Sequence, residues 1–359
     1  MEGGQHTVSV SPSRTGLSDR TRRRVWIAVG LVGAGLLAWL LTFAETGVDE
    51  VRVANPSPPN PVPALEWAGQ SATDFWVPIF YGVTFAVMGL MGWVFWRYWK
   101  RTGQVHAGLP IFIALAVVGF IGDPIFNWAM YCNYHPDLLH WPVNWNLMNV
   151  APSVEPLWIV MGAYQVFFLG PAILGFWLYG KLIAGGAGPD SWVQHHPGWS
   201  LLIFASVFGF GMDILMEQWM LNMGIYKYTQ IAGPAMTWGH GHLQLFEIIW
   251  VGVLIGFYAV LLQRDDKGQS VCKRLSSAGP LKRLHLGELG MAFVLVAVSL
   301  AMYGGFWTVL RETDQADVVA GTYPYRAIKT YDPDGKMQAA GQPAPYFSGT
   351  WCLGDGCRN

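Results

Sequence analysis

Long apolar runs separated by short polar connectors dominate this chain. Residues 25–44, 75–96, 108–130, 157–180, 199–223, 243–262 and 286–310 are each apolar over about the length an α-helix needs to cross ~30 Å of hydrocarbon. No repeat period relates them. The pattern predicts an all-α polytopic membrane protein of about seven transmembrane helices. The run at 25–44 exceeds the roughly 7–15 apolar residues of a cleaved signal peptide, so a retained helix is expected there. Residues 1–24, rich in Ser, Gly and Arg, read as a disordered cytoplasmic tail. Residues 25–310 are the expected seven-helix domain. Residues 311–359 read as an extramembrane, mostly non-helical C-terminal tail with turn signals such as Asp332-Pro333-Asp334-Gly335. The Pro-rich stretch 55–61 is an extended connector.

Composition strengthens this picture. Charged residues make up 13% of the chain, against about 25% in soluble domains, and mean hydropathy is +0.30. The 19 Trp residues suit the two membrane interfaces. A formal net charge of -1 offers nothing to nucleic acid. The placement of basic residues sets an orientation. Arg20, Arg22, Arg23 and Arg24 precede the first run, and Arg97, Lys100 and Arg101 follow the second. Lys181 follows the fourth, and Arg264, Lys267, Lys273, Arg274, Lys282 and Arg283 lie between the sixth and seventh. All fall on one side of an alternating seven-span chain, while the opposite loops hold only Arg52 and Lys227 before the C-terminal tail. The positive-inside rule then predicts a plasma-membrane protein with a cytoplasmic N-terminus and an external C-terminus. Of the four cysteines, Cys352 and Cys357 are placed to meet in a Gly-rich loop; two free thiols are the alternative.

Acidic side chains inside the apolar runs are the chemical signal. Each carries a cost of roughly 2.5–3.5 kcal/mol on insertion scales, so intramembrane acids are functional suspects. Asp123 and Asn127 are four apart on one helix face, with Pro124 able to kink the helix between them. Asp213 and Glu217 repeat that spacing. His240, His242, Gln244 and Glu247 open the sixth run, and Glu155 precedes the fourth. In the alternating topology all of these lie at similar depth in the outer half, with no Lys or Arg beside them. Four helices therefore contribute to one polar layer able to enclose a cavity. Helix-to-helix hydrogen bonding that only holds the bundle together is the plainer alternative.

Poor solvation can keep one carboxyl protonated as a general acid while a better-solvated neighbour acts as base. Carboxylates and aromatic faces can also stabilise a developing cation. The layer thus suits cyclisation through an oxocarbenium ion or carbocation, including proton-driven terpene-type cyclisation. A metal-dependent oxidoreductase using His240, His242 and Glu247 is a rival, although their spacing matches neither His-Glu-x-x-His nor a Glu-x-x-His repeat. A lipid or polyketide binder or transporter using the acids for proton coupling is another. A retinal protein is disfavoured, because the last run offers no Lys. His195-His196 reads as a solvated loop pair, and Gly304-Gly305 as a helix-packing feature.

At these motifs the chain resembles the avermectin-type spirocyclases, actinobacterial integral membrane proteins. The resemblance rests on Asp123-Pro124-Ile125-Phe126-Asn127, Ser153-Val154-Glu155-Pro156 and Met212-Asp213-Ile214-Leu215-Met216-Glu217. It extends to Gly224-Ile225-Tyr226-Lys227-Tyr228, Tyr331-Asp332-Pro333-Asp334-Gly335 and Pro345-Tyr346-Phe347. It implies a spirocyclase or dehydratase-like cyclase needing no cofactor. A dihydroxy-ketone polyketide would close to a hemiketal, lose water to an oxocarbenium ion and be trapped as a spiroketal. By that analogy Asp123, Asp213 and Glu217 form the acid/base core, with Glu155 and Glu247 as supporting acids. Asn127, His240, His242 and Gln244 would orient the substrate. The implied partners are a hydrophobic polyketide-like substrate and the lipid bilayer.

Overall fold

The computed structural model describes residues 75–318 apart from 135–137, 143–144, 146, 152–153, 159–161, 229 and 240. It also describes the short pieces 66–67, 70–71, 330–331 and 346–347 and residues 35, 42 and 339. The expected span at 25–44 apart from residues 35 and 42, the Pro-rich connector, His240, Cys352 and Cys357 lie outside the described residues, as does nearly all of the C-terminal tail. The protein is a mostly helical membrane protein: among the described residues five helices are long and apolar enough to cross a membrane.

Helix α1 (Val77–Thr102) has a proline in its first turn and ends on Gly103, whose φ of 69° lets its N–H close back onto the Trp99 carbonyl. Helix α2 (Gly108–Ala129) follows. A π-helical stretch, Gln165–Leu169, runs into α3 (Gly170–Leu182). Helices α4 (Pro197–Met223), α5 (Leu245–Leu261) and α6 (Gly287–Glu312) complete the bundle. Each is apolar all round. The inward stripe holds fully buried residues such as Leu115, Leu201, Ala205, Ile255 and Val296. The outward face exposes Leu90, Trp177, Val207, Leu215 and Val298 to the space that lipid occupies.

Two expected spans change shape. The run at 157–180 becomes a crossing helix only from Gln165. Just before that run, Val154 and Pro156 are pinned in an extended segment by bridges to Tyr134 and His140. The run at 243–262 yields only the 17 residues of α5, because its first two positions belong to a strand. The all-α expectation also misses a cap of short antiparallel strands over one end of the bundle. Strand β1 (Cys132–Tyr134) pairs with β2 (Tyr226–Tyr228), β3 (Gln230–Ala232) pairs with β6 (Ala316–Val318), and β4 (Ala235–Trp238) forms a hairpin with β5 (Gly241–Gln244).

The opposite end is basic and polar. There Arg264 donates to the carbonyls of Val105 and Gly268, Gln263 reaches the Pro197 carbonyl at 3.5 Å, and Ser270 donates to Glu288 at 2.5 Å. Arg97 stacks over Trp93 at 4.9 Å and Lys100 over Trp99 at 5.5 Å. Between α1 and α2, the Nδ1 of His106 accepts the Gly108 N–H at 3.0 Å while its ring packs on Phe95. Burial, aided by the Arg264 charge, pulls this imidazole down to about 4. Its folded value is below its unfolded one, so its contribution is present above about 6.5 and lost as pH falls toward 4. Melting in detergent is therefore expected to weaken by on the order of 1–3 kcal/mol across that window. His106→Asn, which keeps an acceptor but does not titrate, should flatten the slope; an unchanged slope would rule out this imidazole as its source.

Candidate active site

Five carboxyl groups, drawn from three helices and one extended segment, meet under the strand cap. Helix α2 carries Asp123 and Asn127 one turn apart, with Pro124 removing a backbone N–H between them. The Asn127 amide bridges two acids, donating to Asp123 Oδ2 at 2.9 Å and to Glu155 Oε2 at 3.0 Å. Tyr164, immediately before the π-helical stretch, donates its hydroxyl to Asp123 Oδ1 at 2.7 Å. Glu155 sits in the extended segment within hydrogen-bonding reach of Asp123. Burial and that neighbour hold its carboxyl well above the usual range.

Helix α4 brings Asp213 and Glu217, one turn apart and each 1% exposed. Its end explains how Glu217 acquires its partners. Gly224 takes a left-handed φ of 73°, and the N–H groups of Gly224 and Ile225 close onto the carbonyls of Leu221 and Met220. The chain thereby reverses into β2, which lies back over the helix. Tyr228 donates to Glu217 Oε1, and Tyr226 lies within reach of the same carboxyl. Burial, reinforced by Glu217, lifts both phenols well above their usual values, so both remain donors. Glu247 stands in the first turn of α5, where the helix dipole favours an acid. It accepts the Tyr303 hydroxyl from α6 at 2.6 Å. Each acid helix is thus matched to a phenol from a different element.

These groups surround a cavity of about 70 Å³. Asp123, Glu217 and Glu247 line it, whereas Asp213 and Glu155 stand behind Glu217 and Asp123. Period-two alternation along β1 and β2 turns Cys132, Tyr134, Tyr226 and Tyr228 toward the cavity and leaves Asn133 and Lys227 off it. Trp158 and Phe126 supply aromatic faces. Trp158 is 4% exposed, and its indole N–H has no hydrogen-bond partner among the described residues.

The remaining expected site residues sit apart. Gln244 is buried, but its Oε1 accepts the Ala232 N–H at 2.9 Å and braces two strands. His242 is half-buried in the β4–β5 hairpin, with Nδ1 3.1 Å from the Thr237 hydroxyl across the ladder. Neither lines the cavity. Among the described residues no three His, Cys, Asp or Glu side chains are arranged to hold a metal ion. The expectation that no Lys or Arg lies near the layer needs correction. Lys227 is 2% exposed on the far face of β2, where burial pulls its ammonium down to about 7. Arg311 is 4% exposed and stacks on Trp128 at 4.4 Å and Tyr131 at 4.0 Å. Neither enters the cavity lining. The phenols of Tyr164, Tyr226, Tyr228 and Tyr303 were not singled out from sequence as site groups, although the Tyr226-Lys227-Tyr228 motif was already visible.

No curated protein and no solved structure matches the chain. The family model described as spirocyclase AveC-like matches residues 100–331. That stretch contains every acid and tyrosine placed above, and the chain belongs to the AveC-like spirocyclase family.

Proposed function

We propose that this protein is a membrane-embedded acid/base cyclase that converts a dihydroxy-ketone polyketide into a spiroketal with loss of one water. The carrying observation is the chamber itself. Three carboxyl groups from three helices face one small cavity, each held by a tyrosine hydroxyl, with two further carboxyls directly behind. Family membership supports a cyclase-type role.

The chemistry follows from that arrangement. One substrate hydroxyl adds to the ketone carbon, and its proton ends on the former ketone oxygen, giving a hemiketal. The Glu217–Asp213 pair protonates the hemiketal hydroxyl, which leaves as water. The resulting oxocarbenium ion sits against Asp123 and the faces of Phe126 and Trp158. The second hydroxyl attacks it, and its proton passes to Glu247 or back to Glu217. One proton is given and one recovered, so no co-reactant is consumed. The Trp158 N–H is the free donor suited to hold the ketone oxygen at the start. Glu155 and Asn127 act through Asp123 by fixing its orientation.

We place the enzyme in the plasma membrane with seven spans, the basic end in the cytoplasm and the acid chamber toward the outer face. The decisive test is product analysis. Purified, chelator-treated protein given a long-chain dihydroxyketone should yield a bicyclic ketal lighter by one water, with one stereoisomer dominant. Recovery of unchanged ketone, or of the isomer mixture formed without protein, would count against this function.

A further inference from the structure

The acid chamber is too small for the molecule it would serve. About 70 Å³ accommodates a few waters, well below the roughly 300–1,000 Å³ of ordinary ligand pockets. A second cavity of about 430 Å³ lies between α2 and α6 on the lipid-facing side. Its wall is apolar: Ile121, Ile125, Ala297 and Ala301 border it, and its one hydroxyl, on Thr308, is bonded to the Gly304 carbonyl at 2.8 Å. The two cavities share a single wall residue, Phe126. Its ring lies between two glycines, since a β-carbon at Gly122 or Gly304 would stand 2.6 or 2.4 Å from it. On the chamber side the ring meets Tyr303, the partner of Glu247, edge-on at 5.5 Å.

We propose that the groove between α2 and α6 seats the hydrocarbon chain of the substrate, and that Phe126 is the movable partition through which the oxygen-bearing segment reaches the acids. This inference rests on the cyclase function. The occupant follows from continuity: the groove offers volume and apolar walls but no free donor, the chamber offers acids but no volume, and one side chain separates them. Glycine on both sides of the ring leaves no Cβ to block its turning. A substrate dissolved in the bilayer then reaches the chamber sideways, without crossing the strand cap.

The test uses a long-chain dihydroxyketone carrying a diazirine on its alkyl chain. Irradiated with the full-length protein in detergent–lipid micelles, it should label the segments of α2 and α6 that border the groove. Ala301→Trp fills the groove from a lipid-exposed position and should reduce that labelling about tenfold. Val298→Trp, equally lipid-exposed but off the groove, should leave it unchanged. Ala301→Trp should also lower kcat/KM for the long-chain ketone about tenfold while sparing a short dihydroxyketone. Conversion without groove labelling, or groove labelling by a diazirine phosphatidylcholine that excess ketone cannot displace, overturns the groove assignment but leaves the cyclase standing. Groove labelling without conversion upholds the groove and removes the cyclase.

Discussion

Glu217→Gln is expected to lower spirocyclisation turnover by about 10²–10⁴-fold while leaving melting temperature unchanged or higher. The amide has the shape of the carboxyl and still offers an oxygen to the Tyr228 hydroxyl, so the β2 strap over α4 keeps its anchor. It can neither give nor take a proton. Glu217 is singled out because it both lines the cavity and touches a second carboxyl, Asp213, able to replenish its proton. Asp123 is differently placed: both its oxygens already accept hydrogen bonds, from Tyr164 and Asn127, which suits a fixed negative partner for a cation. Removing an ionisable group that is 1% exposed also removes its desolvation penalty, so stability should not fall. Turnover falls without a loss of stability, a pattern a merely structural acid would not produce. Asp213→Asn should cost less, about tenfold, since it acts through Glu217. Full turnover in Glu217→Gln would remove the acid/base assignment.

The same layer shows why a membrane enzyme would tolerate so much buried acid. Asp123, Glu155, Glu217 and Glu247 are each served by a phenol or an amide rather than by a cation, Asp213 abuts Glu217, and among the described residues no Lys or Arg lines the cavity. A guanidinium in the chamber would bind the carboxylates and also repel the oxocarbenium ion. Tyrosine satisfies an acid without either effect. Keeping Lys227 on the opposite face of β2 and Arg311 against Trp128 and Tyr131 preserves that separation.

How much of this was legible beforehand depended on the range over which each feature is encoded. The apolar runs behind α2, α4 and α6 are local, and those helices appear within a few residues of their expected bounds. The pairing of Asp123 with Asn127 and of Asp213 with Glu217 on single helix faces was legible too, because helix spacing alone sets it. The sequence set Glu155 just ahead of the fourth run, but the bridges from Val154 to Tyr134 and from Pro156 to His140 that hold its segment join residues distant in the chain and leave no hydropathy signal. The β1–β2 ladder pairs Cys132 with Tyr228, residues far apart in the chain, across strands of three residues. A pattern that short carries no usable period. The tyrosines were hidden for the same reason: their role depends on where those strands and α6 end up. His242 drew attention by residue type, but the hairpin register sets it opposite Thr237 instead.

The second large effect concerns how closely α4 and α5 approach. Gly252 and Gly256, one turn apart, form a small-xxx-small face on α5. A β-carbon on Gly256 would stand 2.7 Å from the Leu202 carbonyl and 2.2 Å from the Ser206 hydroxyl, and one on Gly209 would stand 3.0 Å from the Gly252 Cα. Ser206 could turn away; the Leu202 backbone could not. Gly256→Leu should therefore force the helices apart, at a cost of about 3 kcal/mol or more, the upper end of overpacking. Those helices carry Glu217 and Glu247, so separating them also widens the chamber between two of its acids, and turnover should fall with stability. Gly211→Leu is the control: it adds the same side chain to α4, where nothing lies within 4 Å, and should melt like wild type. Melting and monodispersity in detergent decide the matter. If Gly256→Leu matched Gly211→Leu in both, the α4–α5 contact would not be what sets the distance between the two acids. The chamber would then owe its shape to the strand cap alone.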